Sequence, residues 1–212
     1  MKHKYSRAIT LIELLVVVAV MGILAAILVP ALTSALERVK ATKDMSNLRQ
    51  IGLLMQTYLN DKDQILPATT TWPGTNDVPV LYPKYVGARR IFQSPFDKRA
   101  SVEDDSAPVS YSINTNMYIK LGANPNMLKV VSPASTFLMA PTYTGAATTW
   151  AGTAASAPDL PVGAPLETTG THSKGTQINV LFCDWHTESL PFGPSGTAGT
   201  FQNTATHWDP TQ

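Results

Sequence analysis

The sequence predicts an α+β protein with a long N-terminal helix. The first half of this helix spans a membrane, and the second half packs against a small antiparallel β-sheet head. Three observations predict this fold. Residues 14–36 carry no charged side chain. Apolar residues then recur every three or four positions from Met45 to Leu59, which is typical of one helical face. The 16 prolines and 13 glycines are scarce before Leu66 and frequent after it, where they separate short β-branched and aromatic runs.

The apolar run 14–36 has the length of about 20 residues that a membrane-spanning helix needs. Lys2, Lys4 and Arg7 precede it, and this positive flank predicts a cytoplasmic N-terminus and a translocated remainder. We therefore expect a single pass through the inner membrane with the head in the periplasm. A removable signal peptide, cut near the "TSA" at 33–35, is the alternative, although such peptides usually have an apolar region of only about 7–15 residues.

One acid, Glu13, stands at the start of the apolar run. A carboxylate inside a membrane span costs about 2–3 kcal/mol, depending on its depth. Glu13 either lies among the lipid headgroups or has a cationic partner in an assembled state. A cut between Ala8 and Ile9 creates a free α-amine, largely protonated near neutral pH, one helical turn from position 13. In a helical stack, the amine of one subunit would neutralise the carboxylate of the next and so fix their register.

The stretch "AITLIELLVVVAVMGILAAILVPAL" resembles the N-terminal signature of type IV pilins and type II secretion pseudopilins. The resemblance implies that residues 1–8 are a basic leader ending at Ala8. It also implies that a prepilin peptidase cleaves before Ile9 and N-methylates it. Segment 9–36 is then the transmembrane and polymerisation helix, in which Glu13 sets the register.

Gly22 and Pro30 interrupt this segment. Glycine is a weak helix former, and proline removes an internal hydrogen bond and clashes with the preceding turn. The resemblance implies that these two breakers let the helix kink or unwind locally when subunits pack into a filament. The alternative is that they are ordinary members of a spanning helix, in which both residue types are frequent.

Segment 37–61 continues the helix as an amphipathic element. At 1.5 Å per residue, a continuous helix from Ile9 to about Asn60 would be about 75–80 Å long. We expect its polar residues, including Asp44, to face solvent while the apolar stripe packs against the head. The head then comprises residues 62–212.

The head is predicted to be built from short strands. Runs at 109–119, 135–140 and 178–185 are β-branched or aromatic and are bounded by proline, glycine and asparagine. Residues 186–190 follow the third run as a candidate hairpin partner. The stretch 142–171 is rich in Thr, Ala, Gly and Pro and almost uncharged, and it is interpreted as a long surface loop.

The segments "VSYSINTNMY" and "THSKGTQINVLFCDWHTESL" are similar to pilin-like proteins, abundant in planctomycete-type bacteria, that end in a His-then-Asp-Gly motif. His172, Asp184 and His186 occupy the matching places in this C-terminal motif. Trp185 replaces the motif's glycine, although the tight turn of an Asp-Gly pair has positive φ, which tryptophan adopts poorly. Ser94 stands where related proteins often have cysteine.

Neither catalysis nor a cofactor is indicated by the sequence. It contains no nucleophile motif and no dinucleotide or phosphate loop, so we expect no enzymatic activity. The adjacent acids Glu103, Asp104 and Asp105 are candidate calcium ligands, since calcium prefers several oxygen ligands. Three adjacent acids are more often a solvated turn. The formal net charge of +1 gives no electrostatic indication of nucleic-acid binding.

Two functional hypotheses remain. The first is a structural subunit of a type IV pilus-like or type II secretion pseudopilus-like filament. The resemblance then implies copies of itself or other pilins, a prepilin peptidase, an inner-membrane assembly platform and, before assembly, membrane lipid as partners. The subunit would finally reside in a pilus, a pseudopilus or at the cell surface. The second hypothesis is a membrane-anchored periplasmic or extracellular domain that binds or hydrolyses a ligand and does not polymerise.

Overall fold

The structure of the chain, a computed structural model, describes residues 11–68, 73–77, 79–97, 103, 108–114, 116–141, 171–173, 175–191 and 209–211. The chain divides into two compact units, Met1–Val39 and Lys40–Gln212. The described elements are a long helix, a short helix, two 3-10 turns and a four-stranded sheet. The fold is therefore α+β, as the sequence predicts.

Helix α1 comprises Leu11–Asp61 and contributes residues to both units. It is long and apolar enough to cross a membrane. Its apolar residues up to Val39 are exposed, with 82% of Leu11 and 71% of Ile27 accessible. A helix that is apolar all round is typical of a membrane span.

Pro30 lies inside α1, and the helix continues through it. The hydroxyls of Thr33 and Ser34 donate to the Pro30 carbonyl oxygen at 2.9 and 3.1 Å. Gly22 has no heavy atom within 4 Å of the place where a Cβ would stand. The single chain is thus helical at both breakers, and their unwinding in a filament stays a prediction.

The C-terminal part of α1 buries one face in the head. Leu48, Ile51, Met55 and Leu59 are at most 1% exposed, and their steps of three and four residues place them in one row. The helix ends at Asp61, after which Asp63 and Gln64 adopt positive φ angles of 50° and 64°. The backbone N–H of Gln64 donates to the Leu59 carbonyl at 2.8 Å, which satisfies one of the last carbonyls of the helix.

Four antiparallel strands form one sheet in the order β1-β2-β3-β4. They are β1 Tyr111–Ile113, β2 Phe137–Pro141, β3 Gln177–Phe182 and β4 Thr187–Pro191. Strands β3 and β4 form the predicted hairpin, with Val180 opposite Glu188.

Strand β3 is buried on both faces. Asn179 and Leu181 face α1. The side-chain amide of Asn179 donates to the Ala41 carbonyl at 3.0 Å, and Leu181 lies against Gly52. The alternate side chains of β3 join a second apolar cluster on the other face. Its members are Phe137, Ala140, Ile178, Val180, Phe182 and Leu190.

Two strand predictions were too long. Helix α2, Asn116–Leu121, replaces the second half of the strand predicted at 109–119. The Asn114 side chain explains the change, because its Oδ1 accepts from the Asn116 amide at 3.0 Å and its Nδ2 donates to the Phe137 carbonyl at 2.8 Å. Such local side-chain bonds favour turns over strands. The run predicted at 178–185 also ends early, at Phe182.

The predicted loop 142–171 lies outside the described residues except for Thr171. Two 3-10 turns, Arg89–Phe92 and Met127–Lys129, complete the described head. Phe92 and Met127 are buried in the larger apolar cluster of the head, which also contains the buried residues Leu48, Ile51, Met55 and Leu59 of α1.

Candidate functional site

Glu13 lies in the first described turn of α1, on an exposed stretch of helix. Its apolar neighbours Leu14 and Leu15 are 61% and 59% exposed. The predicted cleavage residues, Ala8 and Ile9, lie outside the described residues. The structure therefore places the acid at the start of an apolar surface, as the sequence does, and the cleavage stays a prediction.

A second acid of α1, Asp44, is completely buried in the head. The Ser94 hydroxyl and the Tyr111 phenol donate to its Oδ1 at 2.5 and 2.6 Å. The Asn179 amide donates to its Oδ2 at 2.9 Å. These donors come from the segment after the first 3-10 turn, from β1 and from β3. One carboxylate thus joins α1 to three other parts of the head.

Burial dominates the electrostatics of this cluster. Desolvation raises the pKa of Asp44, while the hydrogen bonds from Ser94, Tyr111 and Asn179 and the charge of His172 lower it again in part. The pKa of Tyr111 is raised well above its ordinary value by burial and by the neighbouring carboxylate. Ser94 is only 1% exposed, so its hydroxyl is held in the interior as a donor and is not presented to a substrate.

The prediction that Asp44 faces solvent was wrong. The sequence did contain a signal, because Asp44 precedes Leu48 by four residues and Leu48 precedes Ile51 by three, so all three lie on one face. A charged residue in an apolar row is usually assigned to the surface. The hydrogen-bond donors that offset the cost of burying Asp44 come from positions more than 45 residues away in sequence.

His172, the first residue of the predicted C-terminal motif, is 4% exposed and precedes β3. Its Nε2 lies 2.9 Å from the Ser189 hydroxyl and its Nδ1 lies 3.1 Å from the Thr171 hydroxyl. The ring stacks on Phe96 with 5.8 Å between ring centroids. This histidine therefore fastens the start of β3 to β4.

The other two motif residues, Asp184 and His186, lie in the β3–β4 turn. His186 Nδ1 is 2.5 Å from Asp184 Oδ1, and the imidazole stacks on Phe182 at 4.0 Å between centroids. The two form a pair at the turn, whereas His172 is held by Ser189 and Thr171. In the described part of the chain, no group of three or more His, Cys, Asp or Glu residues is placed to hold a metal ion.

Trp185 occupies the position at which the motif has glycine, and its φ is +76°. The turn therefore has the left-handed backbone that is typical of an Asp-Gly hairpin, although tryptophan stands in the position of the glycine. The backbone is fixed by two hydrogen bonds, Trp185 N–H to the Phe182 carbonyl at 3.0 Å and Phe182 N–H to the His186 carbonyl at 2.9 Å. Cys183 beside it is buried, and burial raises the pKa of its thiol.

Glu103 is the one described member of the candidate calcium cluster, since Asp104 and Asp105 lie outside the described residues. Its Oε2 accepts from the Arg89 amide at 3.0 Å, and its Oε1 lies 2.8 Å from Arg90 Nε. The carboxylate therefore covers the N-terminal end of the first 3-10 turn. Calcium at this place stays a prediction.

Comparison with known families identifies the N-terminal segment. Residues 3–29 match the family described as the prokaryotic N-terminal methylation motif. The chain thus carries a signature of the type IV pilin-like prepilin kind, which includes Ala8, Ile9 and Glu13 and ends within α1. No curated protein and no solved structure matches the chain.

Proposed function

We propose that the chain is a structural subunit of a type IV pilus-like or type II secretion pseudopilus-like filament. The observation that carries the proposal is the methylation motif at 3–29, which runs directly into the exposed apolar part of α1. A prepilin peptidase would cut between Ala8 and Ile9 and methylate the new terminus. The mature chain would then assemble through its N-terminal helix.

The exposed apolar surface supports assembly. The apolar side chains of α1 up to Val39 can contact lipid, where their exposure costs little. Outside lipid the same surface must be covered, and equivalent helices of other subunits are apolar enough to cover it. Glu13 would be neutralised by the α-amine of Ile9 of a neighbouring subunit, which would fix the stagger between helices.

The proposal includes a location and partners. The subunit would first span the inner membrane once, with a cytoplasmic N-terminus and a periplasmic head, and would then enter a filament. Copies of the chain or other pilins, the peptidase and a membrane assembly platform would be its partners. Its role would be assembly, without catalytic turnover and without a cofactor.

Processing is tested by intact mass and N-terminal sequencing of the protein recovered from membranes. The expected product begins at N-methylated Ile9. A strain that lacks prepilin peptidase supplies the control and should yield a chain that begins at Met1. Recovery of Met1 from cells with an active peptidase would contradict the processing step and would favour an anchored domain.

Assembly is tested by Glu13→Leu in cells that form the filament. The variant should insert into the membrane as well as the wild type, because it adds apolar surface, yet give no sheared filaments. Glu37→Leu is the matched control, since it removes an acid from the same helix outside the apolar run, and its filaments should persist. Filaments of normal yield from Glu13→Leu would exclude a register role for this acid.

A further inference from the structure

A cavity of about 400 Å³ that is open to solvent, with Leu53 63% exposed at its edge, lies between α1 and the β3–β4 turn, within the unit Lys40–Gln212. Its size falls in the range of about 300–1,000 Å³ typical of small-molecule sites. Neither the filament proposal nor the fold requires it. The helix and the turn contribute three residues each, namely Arg49, Leu53, Gln56, Trp185, His186 and Thr187.

Trp185 is held in this cavity at a conformational cost. Its φ of +76° lies in the left-handed region, which is unfavourable for a residue with a Cβ. A glycine would make the same turn without that cost. The indole lies beside Gly52: a Cβ there would be in ordinary contact with Trp185 Cε3 at 3.9 Å, whereas it would crowd Leu181 Cδ1 at 3.2 Å. The chain thus retains a strained tryptophan on the wall of a cavity.

Two polar side chains beside the indole, Arg49 and His186, are held by contacts of their own. Arg49 Nε donates to the Thr187 hydroxyl at 2.8 Å, which joins the helix wall to the turn wall. His186 is clamped between the Asp184 carboxylate at 2.5 Å and the Phe182 ring. A site whose groups are held before a ligand arrives loses less conformational entropy on binding.

Hydrogen-bonding capacity remains on two of the lining residues. Among the described residues, neither the half-buried Gln56 amide nor the Trp185 indole N–H has a hydrogen-bond partner. The amide supplies a donor and an acceptor, and the indole supplies a donor. Together with the guanidinium of Arg49, they surround an aromatic and aliphatic wall formed by Trp185 and Leu53.

The charges near the cavity favour a neutral ligand. Among the described residues that line it, Arg49 alone carries a fixed positive charge. On the turn side, His186 faces two carboxylates, Asp184 at 2.5 Å and Glu188 at 4.0 Å. Charges of both signs thus flank the cavity, so the attraction and the repulsion that an ion would meet there oppose each other, and the site selects neither an anion nor a cation.

We propose that this cavity binds a neutral pyranose ring of a glycan. The apolar C–H face of the sugar would contact the Trp185 indole, and its hydroxyls would pair with Gln56, Arg49 and the indole N–H. A sugar matches the site because it has one apolar face, many hydroxyls that both donate and accept, and no net charge.

The test uses the full chain in a phosphocholine detergent, since glucoside and maltoside detergents carry sugars that would compete. Methyl glucopyranoside, methyl galactopyranoside and N-acetylglucosamine are titrated while the tryptophan indole N–H signals are followed by NMR. The chain has four tryptophans, and Trp185→Phe identifies the signal of interest. At least one sugar should shift this signal, with a dissociation constant on the order of 1 mM.

Three variants test which side chains bind the sugar. Trp185→Gly should abolish binding, although it relieves the backbone strain of the turn. Gln56→Ala should weaken binding about tenfold, the effect of losing one hydrogen bond. Gln50→Ala is the matched control, because it truncates the same residue type on the same helix but lines a different cavity. It should bind like the wild type.

Several results would overturn the proposal. One is the absence of any Trp185 shift at tens of millimolar of each sugar. Another is sugar binding that survives both Trp185→Gly and Gln56→Ala. A preference for glucuronate or for an acetylated peptide over the neutral sugars would overturn the ligand class. None of these results bears on filament assembly, because the titration uses dispersed single chains.

Discussion

Glu13 and Asp44, two of the acids of α1, illustrate two ways of accommodating a carboxylate on one helix. Glu13 lies at the start of an exposed apolar surface, and its proposed partner is the terminus of another chain. Asp44 is 0% exposed and receives hydrogen bonds from Ser94, Tyr111 and Asn179 of its own chain. Asp44 thus serves the fold of the single chain, whereas the role proposed for Glu13 lies in assembly.

The apolar residues of α1 differ in the same way. Leu24 is 62% exposed, whereas Leu48 is 0% exposed in the core of the head. Both residues are leucines in regular helix, so neither propensity nor local conformation distinguishes them. Only packing against the head determines which of the two leucines stabilises the folded chain.

Removal of the buried acid should have the largest effect. Asp44→Leu leaves three buried donors without an acceptor, and each costs about 1–3 kcal/mol. The head should therefore lose at least about 3 kcal/mol of unfolding free energy, measured by urea titration of the detergent-solubilised chain with tryptophan fluorescence. Asp44→Asn keeps the shape and one acceptor oxygen and should lose much less. Equal losses in the two variants would contradict a role as hydrogen-bond acceptor.

The second prediction concerns the two leucines. Leu48→Ala should destabilise the head by about 2–4 kcal/mol, because it removes apolar contacts and leaves a cavity in a packed core. Leu24→Ala should change the same urea transition by less than about 0.5 kcal/mol. A comparable effect of the two substitutions would show that the N-terminal half of α1 contributes to the stability of the head in the single chain.

The smallest effect is a pH dependence caused by Asp44. Burial raises its pKa above the ordinary 3.8, so the folded chain holds the proton more tightly than the unfolded chain. The contribution of Asp44 to stability is therefore largest below pH 3.8 and decreases as the pH rises through the raised folded pKa.

This dependence is isolated by comparison with Asp44→Asn, which does not titrate. The unfolding free energy of the wild type minus that of the variant should decrease with rising pH over this window and then level off. Asp61 and Asp209 have lowered pKa values, so their contributions to stability increase with rising pH. Both residues are present in the wild type and in the variant, so these contributions cancel in the difference between the two unfolding free energies. A difference that increases with pH would mean that the hydrogen bonds to Asp44 outweigh its desolvation.

Much of the fold was predictable because local patterns specify it. The charge-free run 14–36 and the row Leu48, Ile51, Met55 predict the two parts of α1 directly. The hairpin of β3 and β4 was also predictable from a β-branched run and its return segment. The site was less predictable: Asp44 was expected at the surface, and the cavity beside Trp185 had no signal in the sequence beyond the replaced glycine.

The sequence by itself determined the apolar helix, its acid Glu13 and the methylation motif, because each depends on neighbours within a few turns. Only the tertiary structure decided that Asp44 is buried, that His172 is separated from the Asp184–His186 pair, and that Trp185 takes a left-handed turn. The physical reason is distance along the chain. The donors to Asp44 and the helix wall beside Trp185 come from segments far apart in sequence, and only folding brings them within a few ångströms.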